Sequence, residues 1–166
     1  LRDDTDFHWM VVGNLAALGA LSDSELAAAE AADPTVSGHL AGLLARASVP
    51  TPEAKAWAFE QLTSQAAGHS NHALIELARG LWRSPTRALV RPCVGPFLDT
   101  IPAMTAWVGS DALTKVVRFG FPFVVEAQTI ELVDAALARD DLTAGVRRAF
   151  VEWSWPVREA LASRRR

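Results

Sequence analysis

Helix-start signals recur at short intervals along this sequence and constrain its fold more than any other feature. Four cap residues each precede a run rich in alanine and leucine, and a proline follows three of them: Ser22 with Glu25, Asp33-Pro34, Thr51-Pro52 and Ser84-Pro85. A cap side chain accepts hydrogen bonds from the free amides of the first turn, and a proline placed there loses no hydrogen bond. The sequence therefore predicts many short antiparallel helices.

These restarts, together with apolar residues at helical spacing, predict an all-α fold. We expect about eight helices in one domain over residues 1–166, stacked as an irregular HEAT- or armadillo-like α-superhelical array. Residues 121–125 are strand-like but contain a proline and have no partner strand, so we expect a packed connector. Three helix boundaries are also predicted. The first helix runs from about Asp6 to Leu21, a later helix starts at Ser110 or Asp111, and Asp140 or Asp141 caps the last helix.

Composition limits the classes of function. The formal net charge is −3, which provides no field that favours nucleic acid or an anionic membrane. The single cysteine, Cys93, allows no internal disulfide, and no apolar stretch is long enough to span a membrane, so we expect a cytoplasmic protein. Residues 1–21 lack the basic start of a signal peptide, so we expect none. Because the chain begins at Leu1 and not at Met, we expect it to be part of a longer polypeptide.

The sequence carries no known catalytic signature. None of its four histidines is followed by glutamate, so no H-E-x-x-H zinc helix is present, and glycine-rich phosphate loops and the G-x-S-x-G turn are also missing. His69 and His72 come nearest to a metal site, but they lack a carboxylate or thiol neighbour, and a turn with a helix cap fits them better. Cys93 lies in an apolar setting typical of a buried, unreactive thiol. We expect no catalytic and no metal-binding residue in this chain.

Arginine recurs at every fourth position in one part of the chain: Arg79, Arg83, Arg87 and Arg91. A guanidinium group can form paired hydrogen bonds with a carboxylate. This series can therefore bind a carboxylate or the acidic residues of a partner. From the residues alone, a solvated helix face is the favoured interpretation.

Four short segments occur in an order that matches a known family. They read DPTVSG at 33–38, PTPEAKA at 50–56, FGFP at 119–122 and VREAL at 157–161. These segments resemble the DPT-x-SG turn, the P-x-x-EAKA helix start, the GLFP loop and the closing LERAL helix of the C-terminal helical domain of actinobacterial-type aminopeptidase N. That family comprises zinc metallopeptidases with a thermolysin-like catalytic domain, which remove N-terminal residues from peptides. The resemblance spans nearly the whole chain.

The resemblance implies that this chain is a non-catalytic C-terminal fragment of a larger multidomain protein. In the family the zinc ligands, the glutamate base and the residues that recognise the substrate N-terminus lie on an upstream domain, so none is carried over to this chain. The C-terminal domain is a helical lid that limits access to the catalytic cleft. The implied partners are the upstream catalytic domain and a peptide substrate, with no nucleic acid and no membrane. With this resemblance, Arg79, Arg83, Arg87 and Arg91 are the candidate substrate- or domain-facing residues, and Arg79 and Arg83 are the candidates that face the cleft.

Two other classes of function stay open at this point. The main alternative is a free-standing helical-repeat scaffold that binds a protein partner, as arrays of this size commonly do. The third is a small enzyme that uses the histidine pair or Cys93. An H-E-x-x-H motif in the reading frame upstream of Leu1 would favour the peptidase, and a start codon close to Leu1 would favour the scaffold.

Overall fold

The computed structural model describes residues 4–83 and 87–164, and all the regular structure within those ranges is helical. One of the ten α-helical segments, α6, is a single turn. In chain order they are α1 (Thr5–Ala17), α2 (Asp23–Ala32), α3 (Val36–Ser48), α4 (Pro52–Thr63), α5 (Asn71–Trp82), α6 (Arg87–Val90), α7 (Val94–Met104), α8 (Ser110–Phe119), α9 (Ala127–Leu137) and α10 (Ala144–Ser163). Short 3₁₀ turns at Gln65–Ala67 and Arg91–Cys93 complete the list. The all-α class is confirmed.

Two of the predicted start signals are confirmed in detail. Ser22 and Glu25 form a reciprocal capping box in which the Ser22 amide donates to Glu25 Oε2 at 2.8 Å. Thr51 accepts from the Ala54 amide at 3.2 Å, directly before the proline that opens α4. These bonds satisfy amides that have no partner inside their helices. The predicted start at Ser84-Pro85 lies outside the described residues.

The N-cap of α3 lies two residues after the predicted one. Thr35, not Asp33, is the N-cap, and its hydroxyl accepts from the Gly38 amide at 3.1 Å. Asp33 accepts a hydrogen bond from the same hydroxyl at 2.7 Å and another from Trp9 Nε1 at 2.8 Å. The carboxylate therefore supports the cap and ties α1 to the start of α3.

Two other predicted helix boundaries are wrong for local reasons, and a third is confirmed. α1 ends at Ala17 because Gly19 takes the left-handed conformation (φ 69°), and the Ala20 amide closes the end on Leu15 O. α8 begins at Ser110, which confirms the predicted start at Ser110 or Asp111, and Gly109 is its N-cap. Thr143 caps α10 instead of Asp140 or Asp141. The carboxylate of Asp141 binds Arg139 at 2.7 Å instead.

The contacts between helices arrange them in two rows. In one row, α1, α3, α5, α8 and α10 touch in succession, and in a second row α4 touches α7 and α7 touches α9. α2 lies against α3 and α1, α4 against α3 and α5, and α9 against α10. This is the contact pattern of two layers of helices. The likeness to HEAT or armadillo arrays stays a prediction.

The core fills the space between the two rows. Phe97 of α7 and Phe150 of α10 are fully buried there. Residues 121–125 form no strand, and Phe121 and Val124 are buried, so the prediction of a packed connector is confirmed. Within residues 4–83 and 87–164, no helix has both the length and the apolar character needed to cross a membrane.

Candidate functional site

A groove of about 840 Å³ opens between α1, α3 and α5, on the first row of helices. Side chains of α1 and α3 line it, together with polar side chains from the second half of α5 and its C-cap. Its lining includes Trp9, Met10, Gly13, Asn14, Leu40, Leu44, Glu76, Arg79 and Arg83. Two of the four predicted arginines therefore meet in one groove, whose lining combines apolar side chains with polar ones and with the carboxylates of Asp6 and Asp33.

Arg83 crosses this groove at its α1 side. It is the residue that follows Trp82 at the end of α5, and it is half-buried. Its Nη2 donates to Asn14 Oδ1 at 2.7 Å, which joins α5 to α1 across 69 residues of sequence. This bond orients the guanidinium and uses one of its five N–H donors.

Arg79 lies one turn earlier on α5 and is more exposed. Its Nη1 is 3.0 Å from each carboxylate oxygen of Glu76, and its guanidinium lies 5.7 Å from the centre of the Phe119 ring. Nearly half of its side chain (47%) is exposed, so this ion pair adds little to the free energy of folding. The pair places a guanidinium and a carboxylate side by side at the rim of the groove.

Lys55 supports the groove from below, and sequence reasoning assigned it no role. It is 1% exposed, and its Nζ donates to Ala47 O at 2.7 Å, Gly80 O at 3.0 Å and Arg83 O at 2.7 Å. Those carbonyls lie at the ends of α3 and α5, where helical partners run out, although Gly80 O also accepts from the Arg83 amide at 3.1 Å. The three donors of one ammonium group thus cap two helices at once, where its charge also complements both helix dipoles.

Burial is the main cause that lowers the pKa of Lys55 from 10.5 to about 8. The charge of Cys93 opposes this shift, and the charge of the Arg83 guanidinium adds to it.

One feature of the sequence indicates that Lys55 is buried and needs partners. Lys55 lies three residues before Ala58, on the face of α4 that the apolar spacing assigns to the core. A lysine at a core position needs partners for its charge, because an unpaired buried ammonium is very costly.

A second group of side chains continues from the groove along the first row. Arg118 of α8 lies 5.4 Å from the ring centre of Phe119 and 5.4 Å from that of Trp153 on α10. Together with Arg79, these residues alternate cation and ring across α5, α8 and α10. Sequence reasoning did not connect them, because the three helices are far apart in the chain.

The other two predicted arginines lie elsewhere. Arg91 pairs with Glu126, with its Nε 2.8 Å from Glu126 Oε2, beside a separate groove of about 380 Å³. That pair lowers the pKa of Glu126, and the charge of Arg87 lowers it further. The regular spacing does not produce one continuous row, because α5 ends at Trp82 and α6 begins again at Arg87.

The histidine pair and the cysteine have ordinary surroundings. The His69 ring is hydrogen-bonded to Gln61 Oε1 at 2.8 Å, and Ser70 caps α5 directly after it, which confirms the turn and cap. Burial raises the pKa of the half-buried Cys93 thiol and so disfavours the reactive thiolate. Among the described residues, no three or more His, Cys, Asp or Glu side chains are grouped so as to hold a metal ion.

Comparison with known proteins gives two findings. The family model of the ERAP1-like C-terminal domain matches residues 2–153. The chain is also similar to an aminopeptidase N from Streptomyces lividans, with 28% identity over 162 residues. That alignment covers 97% of this chain and 19% of the relative, so the chain spans about a fifth of the length of the curated relative it matches.

Proposed function

The chain belongs to the ERAP1-like C-terminal domain family, and from this premise we propose that it is the substrate-access domain of an aminopeptidase N-type enzyme. In this proposal the chain is itself non-catalytic. It covers the catalytic cleft of an upstream domain and presents the groove between α1, α3 and α5 to the peptide. The parent enzyme removes N-terminal amino acids from peptides.

One observation carries the proposal, namely that Asn14 holds Arg83 across a groove whose lining combines apolar and polar side chains. A peptide that enters a cleft by its N-terminus has its carboxylate at the far end, where a guanidinium can form paired hydrogen bonds with it. Met10 and Leu40 offer apolar contact to side chains along the way. Arg79 at the rim is paired with Glu76, and in the proposal the peptide carboxylate competes with Glu76 for its guanidinium.

The chemistry of hydrolysis lies outside this chain in the proposal. The zinc ion that the family resemblance implies is held by the upstream domain, and the described residues of this chain contain no suitable group of ligands. The contribution of this chain is to exclude water from the cleft and to position the peptide, which raises the rate without a bond being broken here. A cytoplasmic location is part of the same proposal. No observation favours the free-standing scaffold.

Replacing both groove arginines in the longer polypeptide, as Arg79→Gln with Arg83→Gln, tests the proposal. We expect kcat/KM for longer peptides to fall about tenfold, which is the contribution of one charge-assisted hydrogen bond. Turnover of a single aminoacyl anilide, which is too short to reach the groove, stays unchanged. The measurement is steady-state kinetics with peptides of increasing length.

Arg91→Gln is the matched control, because Arg91 belongs to the same sequence series but lies beside a different groove. This variant should keep the length dependence of the parent. If the double variant also keeps it, the groove does not meet the peptide. If the double variant loses activity on the anilide as well, the arginines dock the catalytic domain instead.

A further inference from the structure

α1 is apolar on two opposite sides. Trp9, Val12 and Ala16 are buried against α2 and α3. On the far side a second stripe is open to solvent, with 45% of Phe7 and 37% each of Val11 and Leu15 exposed. These three residues are spaced by four, so they share one face of the helix. Leu18, at the end of α1, extends the stripe and is 69% exposed.

Such a helix is unusual at the edge of an array. Among the described residues α1 is the first member of its row, and the terminal helices of stacked arrays normally present a polar outer face. An exposed apolar stripe normally marks a contact surface. The outer stripe of α1 therefore has the character of an internal packing surface.

The exposed stripe borders a groove into which another helix can pack. A groove of about 560 Å³ runs between α1 and α2, and Phe7, Val11, Ala29 and Ala32 form its apolar part. Alanines on the α2 side leave room for another backbone to approach closely. In the two-row arrangement, a helix placed before α1 would belong to the second row and would touch both α1 and α2.

We propose that this face seats an amphipathic helix of the same polypeptide, located directly upstream of this domain. The family is a C-terminal domain, and the aligned region is only 19% of the relative's length, so a long preceding chain is available. That chain would join this domain at α1, beside the groove. The proposal rests on family membership and on the apolar face, and it is independent of the substrate-access role.

Cysteine labelling in the longer polypeptide tests this proposal. Val11→Cys lies on the outer stripe, and Val36→Cys on α3 is the matched control because Val36 is 78% exposed. We expect a maleimide to modify Val11→Cys at least about tenfold more slowly than Val36→Cys in the native state, and equally fast after denaturation. Peptide mass spectrometry reads each site separately from any other cysteine.

Two results would overturn the proposal. Equal native labelling rates at the two sites in the longer polypeptide would mean that the face is open. Protection of Val11→Cys that appears only as concentration rises, together with a doubled mass in light scattering, would assign the face to a second copy of the chain. Because catalysis is not measured, failure here leaves the kinetic test of the groove unaffected.

Discussion

Lys55→Met is expected to reduce the free energy of unfolding by about 3–5 kcal/mol, the largest effect of any single substitution considered. The methionine fills most of the volume of the lysine but removes one hydrogen bond each from Ala47 O, Gly80 O and Arg83 O, of which Gly80 O keeps the Arg83 amide. Each buried acceptor left unsatisfied costs about 1–3 kcal/mol, partly offset because no charge is buried any longer. Urea denaturation followed by circular dichroism measures the difference.

Lys115→Met is the matched control, because Lys115 is the other lysine of the chain and its ion pair with Asp111 is exposed. It should change the free energy of unfolding by less than about 0.5 kcal/mol. A loss as small for Lys55→Met would show that the three carbonyls find other partners and that Lys55 is not the support of α3 and α5.

The pH dependence offers a second readout of the same substitution. Between about pH 8 and 10.5 the unfolded chain keeps the proton of Lys55 while the folded chain releases it, so the free energy of unfolding rises with pH. This rise should be absent in Lys55→Met. Cys93, whose pKa burial raises, gives the opposite slope, so both proteins should carry Cys93→Ala. The chain has no tyrosine to obscure the comparison.

Gly80→Ala is expected to lower the free energy of unfolding by about 3 kcal/mol, because α3 and α5 pack too closely for a methyl group at this position. A Cβ on Gly80 would lie 2.5 Å from Ala47 Cβ and 2.6 Å from Leu44 O. The latter is backbone, so the helices must separate. Separation also disturbs the carbonyls that Lys55 binds. The same denaturation experiment measures the effect.

Gly13→Ala is the control for this substitution. Gly13 is also inside a helix, and its new Cβ would meet only the Arg83 side chain, at 3.5 Å, which is ordinary contact. Since alanine favours helix over glycine, this variant should be as stable as the parent or more stable by up to about 1 kcal/mol. If both variants behave alike, helix propensity and not close packing governs Gly80.

The elements that local sequence determines were predictable. Caps such as Ser22 and Thr51 act within four residues, so their hydrogen bonds follow directly from the order of side chains. Errors arose where two local options competed. Asp141 was available as a cap, but the nearby Arg139 binds its carboxylate, and Thr143 takes the cap position.

The groove depends on contacts that no local pattern reveals. Asn14 and Arg83 meet only because α1 and α5 both pack on α3. Lys55 finds its partners 25 and 28 residues away as well as on the preceding helix. The arginine spacing suggested one surface, but the end of α5 separated Arg91 from the two groove residues. Spacing predicts a shared face only within a single helix.

Photo-crosslinking tests most directly whether the groove between α1, α3 and α5 meets the substrate. The probe is a longer peptide with a reduced N-terminal bond, which resists cleavage, and with a benzophenone side chain next to its free C-terminal carboxylate. Irradiation with the longer polypeptide should attach the probe to groove residues, foremost Met10, and the Arg79→Gln with Arg83→Gln variant should lose this product. Attachment elsewhere on this domain, or to the catalytic domain alone, would contradict the substrate-access role.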